Sequence, residues 1–189
     1  MVRFKNVNTN TNRTFECTLT CNRCTARTAT GTRCRRRVCV GTQKCFTHRK
    51  RDEGLQVKRS LIPNSGKGLF ATKLFRKNDL IGTGYRGELI SRAQLNNRYG
   101  QQQNANAPYA LSVRNSQQIV DSACERGILS VANTKTVRSQ CNAKYSQHIK
   151  ADGTVNVRAT KRIRPGDEIY IWYGAGFTQT MGNSRHTTK

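Results

Sequence analysis

"RIRPGDEIYIWYG", Arg162 to Gly174, decides how the rest of this chain is read. Pro165-Gly166 is a turn signal, and the residues after it read as a strand in which Tyr170 and Trp172 alternate with Ile171 and Tyr173. With Phe177 four residues further on, this stretch concentrates rings in a chain that is only 7% aromatic. Such a strand end is either a packing surface or the wall of a site. The alternation puts Tyr170 and Trp172 on one face, read as packing, and Ile171 and Tyr173 on the other.

Working outward, 189 residues with 35% hydrophobic content can bury one main core and an accessory. The formal net charge of +24 speaks of an anionic partner rather than of fold. No run of about 18 apolar residues and no charged-then-apolar leader is present, so the composition supports neither a membrane span nor a secretory signal. The chain reads as intracellular. Cysteines in a reducing compartment read as metal ligands or buried thiols rather than disulfides, and six of the eight fall between Cys17 and Cys45. Cys124 and Cys141, isolated further on, read as buried thiols.

Residues 1–53 are basic and Thr- and Arg-rich, with almost no periodic apolar pattern, and are not expected to fold on a hydrophobic core. From Gly54 short apolar runs, "LIGTGYRGELI", "YALSV" and "GTVNVRATKRI", are separated by turn signals and read as strands. Asp152-Gly153 between two such runs predicts a two-residue type I′ hairpin. One helix is expected from Ser91 as N-cap to Gly100, followed by an exposed "QQQNANAP" loop; the polar residues 179–189 form a tail.

The block "CNRCTARTATGTRCRRRVCVGTQKCFTHRK" has metal-ligand spacing, with Cys45-x2-His48 as a tight chelate. Cys21 and Cys24, or Cys24 and Cys34, complete a tetrahedral set. "CTARTATGTRC…CFTH" resembles a short zinc module of proteins from large DNA viruses, and that resemblance selects Cys24, Cys34, Cys45 and His48, leaving Cys17, Cys21 and Cys39 spare or for a second ion. "RCRRR" beside the ligands is a basic patch suited to a phosphate backbone or a nucleosome.

"NSGKGLFA", "GYRGELI", "GILSVANTK", "CNAKY" and "RIRPGDEIYIWYG", in this order, resemble the SET-domain lysine methyltransferases over roughly Leu55 to Phe177. The resemblance implies a mainly β SET fold, short strands around a knotted "SVANTK…CNAKY" segment, with residues 1–53 as a zinc-binding module, 54–178 as the methyltransferase domain and 179–189 as a flexible tail. It implies that Gly66, Lys67, Gly68 and Leu69 hold S-adenosylmethionine through their main chain, with Asn133 and Thr134 beside them. Tyr173 takes the place of the catalytic tyrosine, Tyr85 and Tyr109 those of channel tyrosines, and Phe177 that of an aromatic closing the channel. Ile171, two residues before Tyr173, stands where the number of methyl groups is often decided; without a hydroxyl it implies di- or trimethyl-lysine as product.

The implied activity is methyl transfer from S-adenosylmethionine to a protein lysine, that of a histone or nucleosome, with Zn2+ in the N-terminal module and the nucleus or a site of viral DNA as the setting. Ser130 and Thr134 depart from the family's arginine and histidine, and no cysteine cluster follows Tyr173, so Phe177 and the tail, or a second subunit in a homodimer, cover that side. The rival reading is a non-catalytic, zinc-containing nucleic-acid-binding protein on a relic SET scaffold.

Overall fold

The computed structural model describes residues 2–8, 14–38, 43–100, 107, 109–113 and 116–174. Phe177, Cys39, the 101–106 part of the expected loop and the tail lie outside the described residues. Among the described residues no helix is long and apolar enough to cross a membrane.

The chain opens with two antiparallel strands, β1 (Val2–Asn8) and β2 (Thr14–Thr20), paired from Val2↔Thr20 to Asn8↔Thr14. This hairpin corrects the expectation that residues 1–53 carry no packed apolar face. "TFECTLT" in fact alternates, and Phe15 and Cys17 pack with Ile90, Leu95, Tyr99, Ile119, Ala123 and Cys124 in a second core. Phe15 meets Tyr99 edge to face, at 5.4 Å between ring centroids. Cys17 is disulfide-bonded to Cys124, which overturns the reading of Cys124 as a buried thiol. Cys21 is also disulfide-bonded, so neither Cys17 nor Cys21 is spare for a second ion.

Two short strands, β3 (Asn22–Arg23) and β4 (Arg37–Val38), frame the metal-ligand block, and helix α1 (Phe46–Glu53) leaves it. Gly54, at φ +70°, ends α1 and turns the chain into the hairpin of β5 (Leu55–Arg59) and β6 (Lys67–Ala71). Next come β7 (Tyr85–Arg86), β8 (Glu88–Ile90) and α2 (Arg92–Tyr99). The caps of α2 are those expected: Ser91 accepts from the Gln94 amide, and the Gln94 side chain accepts from the Ser91 amide, a capping box that fixes the helix start. β9 (Ala110–Ser112) and β10 (Ile119–Asp121) complete a sheet in the order β8-β10-β9; β11 (Ala143–Ile149) and β12 (Thr154–Ala159) form another, β11-β12-β7.

The turn between β11 and β12 differs from the expected type I′. Gly153 N–H donates to Lys150 O at 2.9 Å, and Gly153 is at φ +74° while Asp152 is not in the left-handed region. A type I′ turn needs both central residues at positive φ, whereas this longer turn needs only its glycine there.

Along β12, Val155, Val157 and Ala159 are buried at every second position. They join Leu55, Leu69, Phe75, Ile81, Leu129, Ile163, Ile169 and Ile171 in the main core. Through this core runs the C-terminal stretch. Ile169 N–H donates to Leu69 O at 2.7 Å, Ile171 N–H donates to Asn133 O at 2.8 Å, and Ala143 N–H donates to Tyr170 O at 3.0 Å. The stretch is thus bridged in parallel to Asn133 on one side and Ala143 on the other, two points of one continuous segment, as the knotted reading required.

The Cys17–Cys124 bond closes a loop over a sequence separation of 107 residues, long enough to restrict the unfolded chain strongly. Replacing both cysteines by serine is expected to lower unfolding stability by about 2–4 kcal/mol in urea titrations, and non-reducing peptide mapping of the wild type should recover the Cys17–Cys124 link.

Candidate functional site

The β5–β6 hairpin presents its loop at one edge of the core. Ser60 N–H donates to Gly66 O at 2.8 Å, and Gly66 turns at φ +65° with nothing within 4 Å of where a side chain would begin. That open, exposed backbone is the part of "GKG" that a ligand can approach. Gly68 is glycine for another reason: a Cβ there would run into Glu168 Oε1. Leu69 is fully buried, so it contributes only main chain near the loop.

Asn133 reaches the same loop from the segment opposite. The two hydrogens of its Nδ2 are shared among Lys67 O at 3.1 Å, Ser60 Oγ at 3.0 Å and Glu168 Oε1 at 3.1 Å. Glu168 also accepts from Ser60 Oγ at 2.7 Å, the Leu61 amide at 2.7 Å and Tyr170 Oη at 2.8 Å. The sequence reading gave Glu168 no role; its signal was an acidic residue at the start of a strand whose next residues are apolar. Thr134 is buried, its hydroxyl donating to Lys135 O at 3.3 Å and lying 3.9 Å from Cys141 Sγ.

Tyr173 lies at the other end of the strand. It borders a narrow cavity of about 60 Å³ with Tyr85 and Tyr145, and Ala107, Ala110, Leu111 and Ser130 fill the gaps between the rings. Tyr173 Oη donates to Ala132 O, and Tyr85 Oη donates to Tyr109 O at 2.6 Å. Both hydroxyl protons are therefore engaged, and what remains to each oxygen is acceptor capacity. Burial pushes the phenols of Tyr85, Tyr145 and Tyr173 above the ordinary tyrosine range, so all three stay neutral at physiological pH.

Two expected wall residues are placed differently. Tyr109 offers the cavity region its carbonyl, while its ring carries the Arg126 guanidinium at 3.8 Å. Ile171 is fully buried in the main core and does not border the cavity among the described residues; strand alternation turns it away. Tyr145, edge to face with Tyr85 at 5.4 Å, stands in the wall instead. "CNAKY" contained it, but only the register of β11 shows which way it points.

Leu111, Tyr145 and Tyr173 are shared with an open groove of about 690 Å³, which Trp172, Lys144, Lys161 and Arg138 also border. The narrow cavity thus adjoins a long surface depression.

Apart from this, Cys24, Cys34, Cys45 and His48 are all buried with their ligand atoms within 4.8 Å of one another. Cys34 Sγ and Cys45 Sγ are 3.9 Å apart, and His48 Nδ1 is 3.6 Å from Cys24 Sγ and 3.3 Å from Cys45 Sγ. Tetrahedral zinc with metal–sulfur bonds of about 2.3 Å spaces its ligands roughly 3.5–3.8 Å apart, so this donor set is compatible with it. Burial raises the Cys45 thiol, but hydrogen bonds from the His48 main chain and ring and from Cys24 and Cys34 outweigh it and bring the pKa down to about 6, which favours the thiolate a metal requires. Of the two ligand sets considered from sequence, only the one with Cys34 converges. Surrounding arginines brace the module: Arg23 donates to Cys34 O and Arg33 O, and Arg33 donates to Cys24 O and Arg23 O.

The sequence profile of the SET domain matches residues 66–174. No curated protein matches the chain in sequence. Among solved structures it is similar to the Chaetomium thermophilum polycomb repressive complex 2, at 21% identity and a TM-score of 0.53 over 65% of this chain and 15% of that one. It is also similar to a ctPRC2 structure described as autoinhibited and bound to S-adenosylmethionine, at 22% identity and a TM-score of 0.52 over 70% of this chain and 17% of that one. A third is the methyltransferase domain of human PR domain-containing protein 2, at 19% identity and a TM-score of 0.48 over 68% and 83% of the two chains. The chain thus spans about a sixth of the length of the polycomb chains it matches. The matched profile begins at the exposed Gly66, ends at Tyr173-Gly174, and covers more than half the sequence: the protein belongs to the SET-domain family.

Proposed function

We propose that the protein transfers a methyl group from S-adenosylmethionine to the side-chain amine of a protein lysine. The observation that carries this reading is the narrow cavity of about 60 Å³ walled by three tyrosines and adjoining an open groove. It suits an extended alkylamine and is too small for a peptide backbone. The exposed main chain at Gly66 and Lys67, with Asn133 tied to it, would hold the cofactor, and Gly66 leaves room for the approach. When bound, S-adenosylmethionine supplies an electrophilic methyl group on a cationic sulfur.

The chain's own residues act on the amine. A free lysine, with a pKa of about 10.4, is charged and lacks a lone pair at neutral pH. Passage into an aromatic channel desolvates it and pushes that pKa down. The oxygens of Tyr85 and Tyr173, whose protons are held by Tyr109 O and Ala132 O, accept amine N–H groups and aim the remaining lone pair. Because the phenols stay neutral, none of them is the base, and the proton leaves to water through the groove. Cys24, Cys34, Cys45 and His48 would hold a zinc ion with four protein ligands, a set suited to a structural role.

Tyr173→Phe tests the reading, because it deletes one hydroxyl from the reacting centre. Radiolabelled methyl transfer to histones, nucleosomes and a cell extract is expected to fall at least about tenfold with cofactor binding retained; an unchanged rate removes Tyr173 from the mechanism. No transfer by the wild type to any of them, together with salt-sensitive nucleic-acid binding, favours the non-catalytic reading.

With three phenols in the cavity wall and Ile171 in the core, we propose a product other than the di- or trimethyl-lysine expected from sequence. We expect transfer to stop at monomethyl-lysine, and Tyr145→Phe, which removes a hydroxyl from the wall, to yield dimethyl-lysine by mass spectrometry under excess cofactor.

Metal analysis is expected to find at least about one zinc per chain. Cys45→Ser should abolish binding and loosen residues 21–53 in hydrogen exchange while protection of the β12 core persists.

A further inference from the structure

We infer that the groove beside the tyrosine cavity selects a lysine flanked by acidic residues; this rests on the lysine-methyltransferase reading of the cavity. The groove is bordered by Arg138, Lys144 and Lys161, all exposed, and by no aspartate or glutamate among the described residues. No ion pair of the described residues involves any of these three cations. Lys161 Nζ donates to Ser139 O at 3.1 Å, a neutral partner that leaves its charge uncompensated.

The rest of the chain offers little that could neutralise them. The sequence has 34 Lys and Arg against 10 Asp and Glu. Nine of these ten carboxylates are engaged internally, and the tenth, the exposed Glu16 on β2, is not among the residues that border the groove. Asp52, Glu88, Asp121 and Glu125 are paired with Lys44 and Arg51, Arg98, Arg98, and Arg86 respectively, and Glu53 lies 3.9 Å from Arg49. Asp79, Asp152 and Asp167 accept main-chain N–H groups in turns, and Glu168 is buried. The groove therefore sits in a positive field with no local counter-charge. A lysine- or arginine-rich segment, the histone-tail expectation included, would have to bring like charges past Arg138, Lys144 and Lys161 to reach the cavity. An aspartate- or glutamate-flanked lysine meets attraction on the same path, with the lysine stem received by the rings. Because Leu111, Tyr145 and Tyr173 belong to both the groove and the cavity, the occupant of one is joined to that of the other, which favours a peptide over a nucleic-acid strand.

The test uses three peptides with one central lysine, flanked by Asp/Glu, by Ser/Gln or by Lys/Arg, measured both for methyl transfer and for direct binding by fluorescence anisotropy. The wild-type protein is expected to bind and methylate the acidic peptide at least about tenfold better than the basic one at low salt, with the gap narrowing as ionic strength rises. The combined variant Arg138→Glu, Lys144→Glu, Lys161→Glu should reverse the order. Arg76→Glu, Lys77→Glu, Arg164→Glu makes the same change of charge outside the groove lining and should keep it. An equal or opposite preference in the wild type overturns the inference, as does a reversal by both variants, or displacement of the acidic peptide by single-stranded DNA with equal affinity. Acidic preference in binding without turnover would sustain the groove and defeat the methyltransferase reading; turnover without acidic preference would do the opposite.

Discussion

The carboxylate of Glu168 is the constraint on which the site depends. It is 2% exposed and accepts hydrogen bonds from Ser60, the Leu61 amide, Asn133 and Tyr170, so one buried side chain joins the β5–β6 loop, the Asn133 segment and the C-terminal stretch. A buried carboxylate is tolerated only where donors replace its water, and here they come from three segments: Ser60 and Leu61 of one loop, Asn133, and Tyr170 on its own stretch. The arrangement also dictates Gly68, since any side chain there would displace the Glu168 oxygen. Once that junction is set, the strand beyond it has no freedom of register: Ile169 and Ile171 enter the main core, and Tyr173 emerges at the cavity.

Much of this was legible because it is local. The Ser91 and Gly100 boundaries of α2 follow from capping chemistry, and the alternation of β12 follows from its period of two. The order of short motifs was enough for the SET fold, and the Cys/His spacing for a metal-binding set. What could not be read depends on which distant segments meet. Cys17 and Cys124 have no ligand spacing between them and come together only because β2 covers α2 and the residues after β10. Tyr145 enters the wall, and Ile171 leaves it, through the registers of β11 and of the strand threaded beside it. The first hairpin was hidden differently: its alternation was present, but the charge and threonine content of residues 1–53 masked it.

Three clusters stabilise the chain by three means. The main core is aliphatic burial, the second adds a disulfide and an aromatic pair, and the third is a set of buried thiols and an imidazole with few apolar neighbours. The third has least to gain from burial, since beside its three cysteines it buries only Ala26 with Val38 partly packed, and chelation of a metal by its donor set would supply what apolar area does not. Arginine side chains that donate to Cys24 O and Cys34 O satisfy carbonyls which a two-strand frame leaves unpaired. Part of the high arginine content is thus architectural rather than a surface for a partner.

The chemistry of the tyrosine cavity follows from where its protons are held. A phenol whose hydrogen is given to a main-chain carbonyl can only accept, and Tyr85 and Tyr173 are both in that state, on Tyr109 O and Ala132 O. Burial raises both phenols, so neither becomes a phenolate that would hold a lysine in its charged, unreactive form. On the proposed lysine reading, a neutral acceptor would instead take a hydrogen bond from the amine without adding a counter-charge. On that reading the cavity would favour the uncharged amine by excluding water, while its neutral oxygens would add no anion to hold the ammonium. The cationic groove outside adds to this, because positive charge at its mouth opposes a second one within.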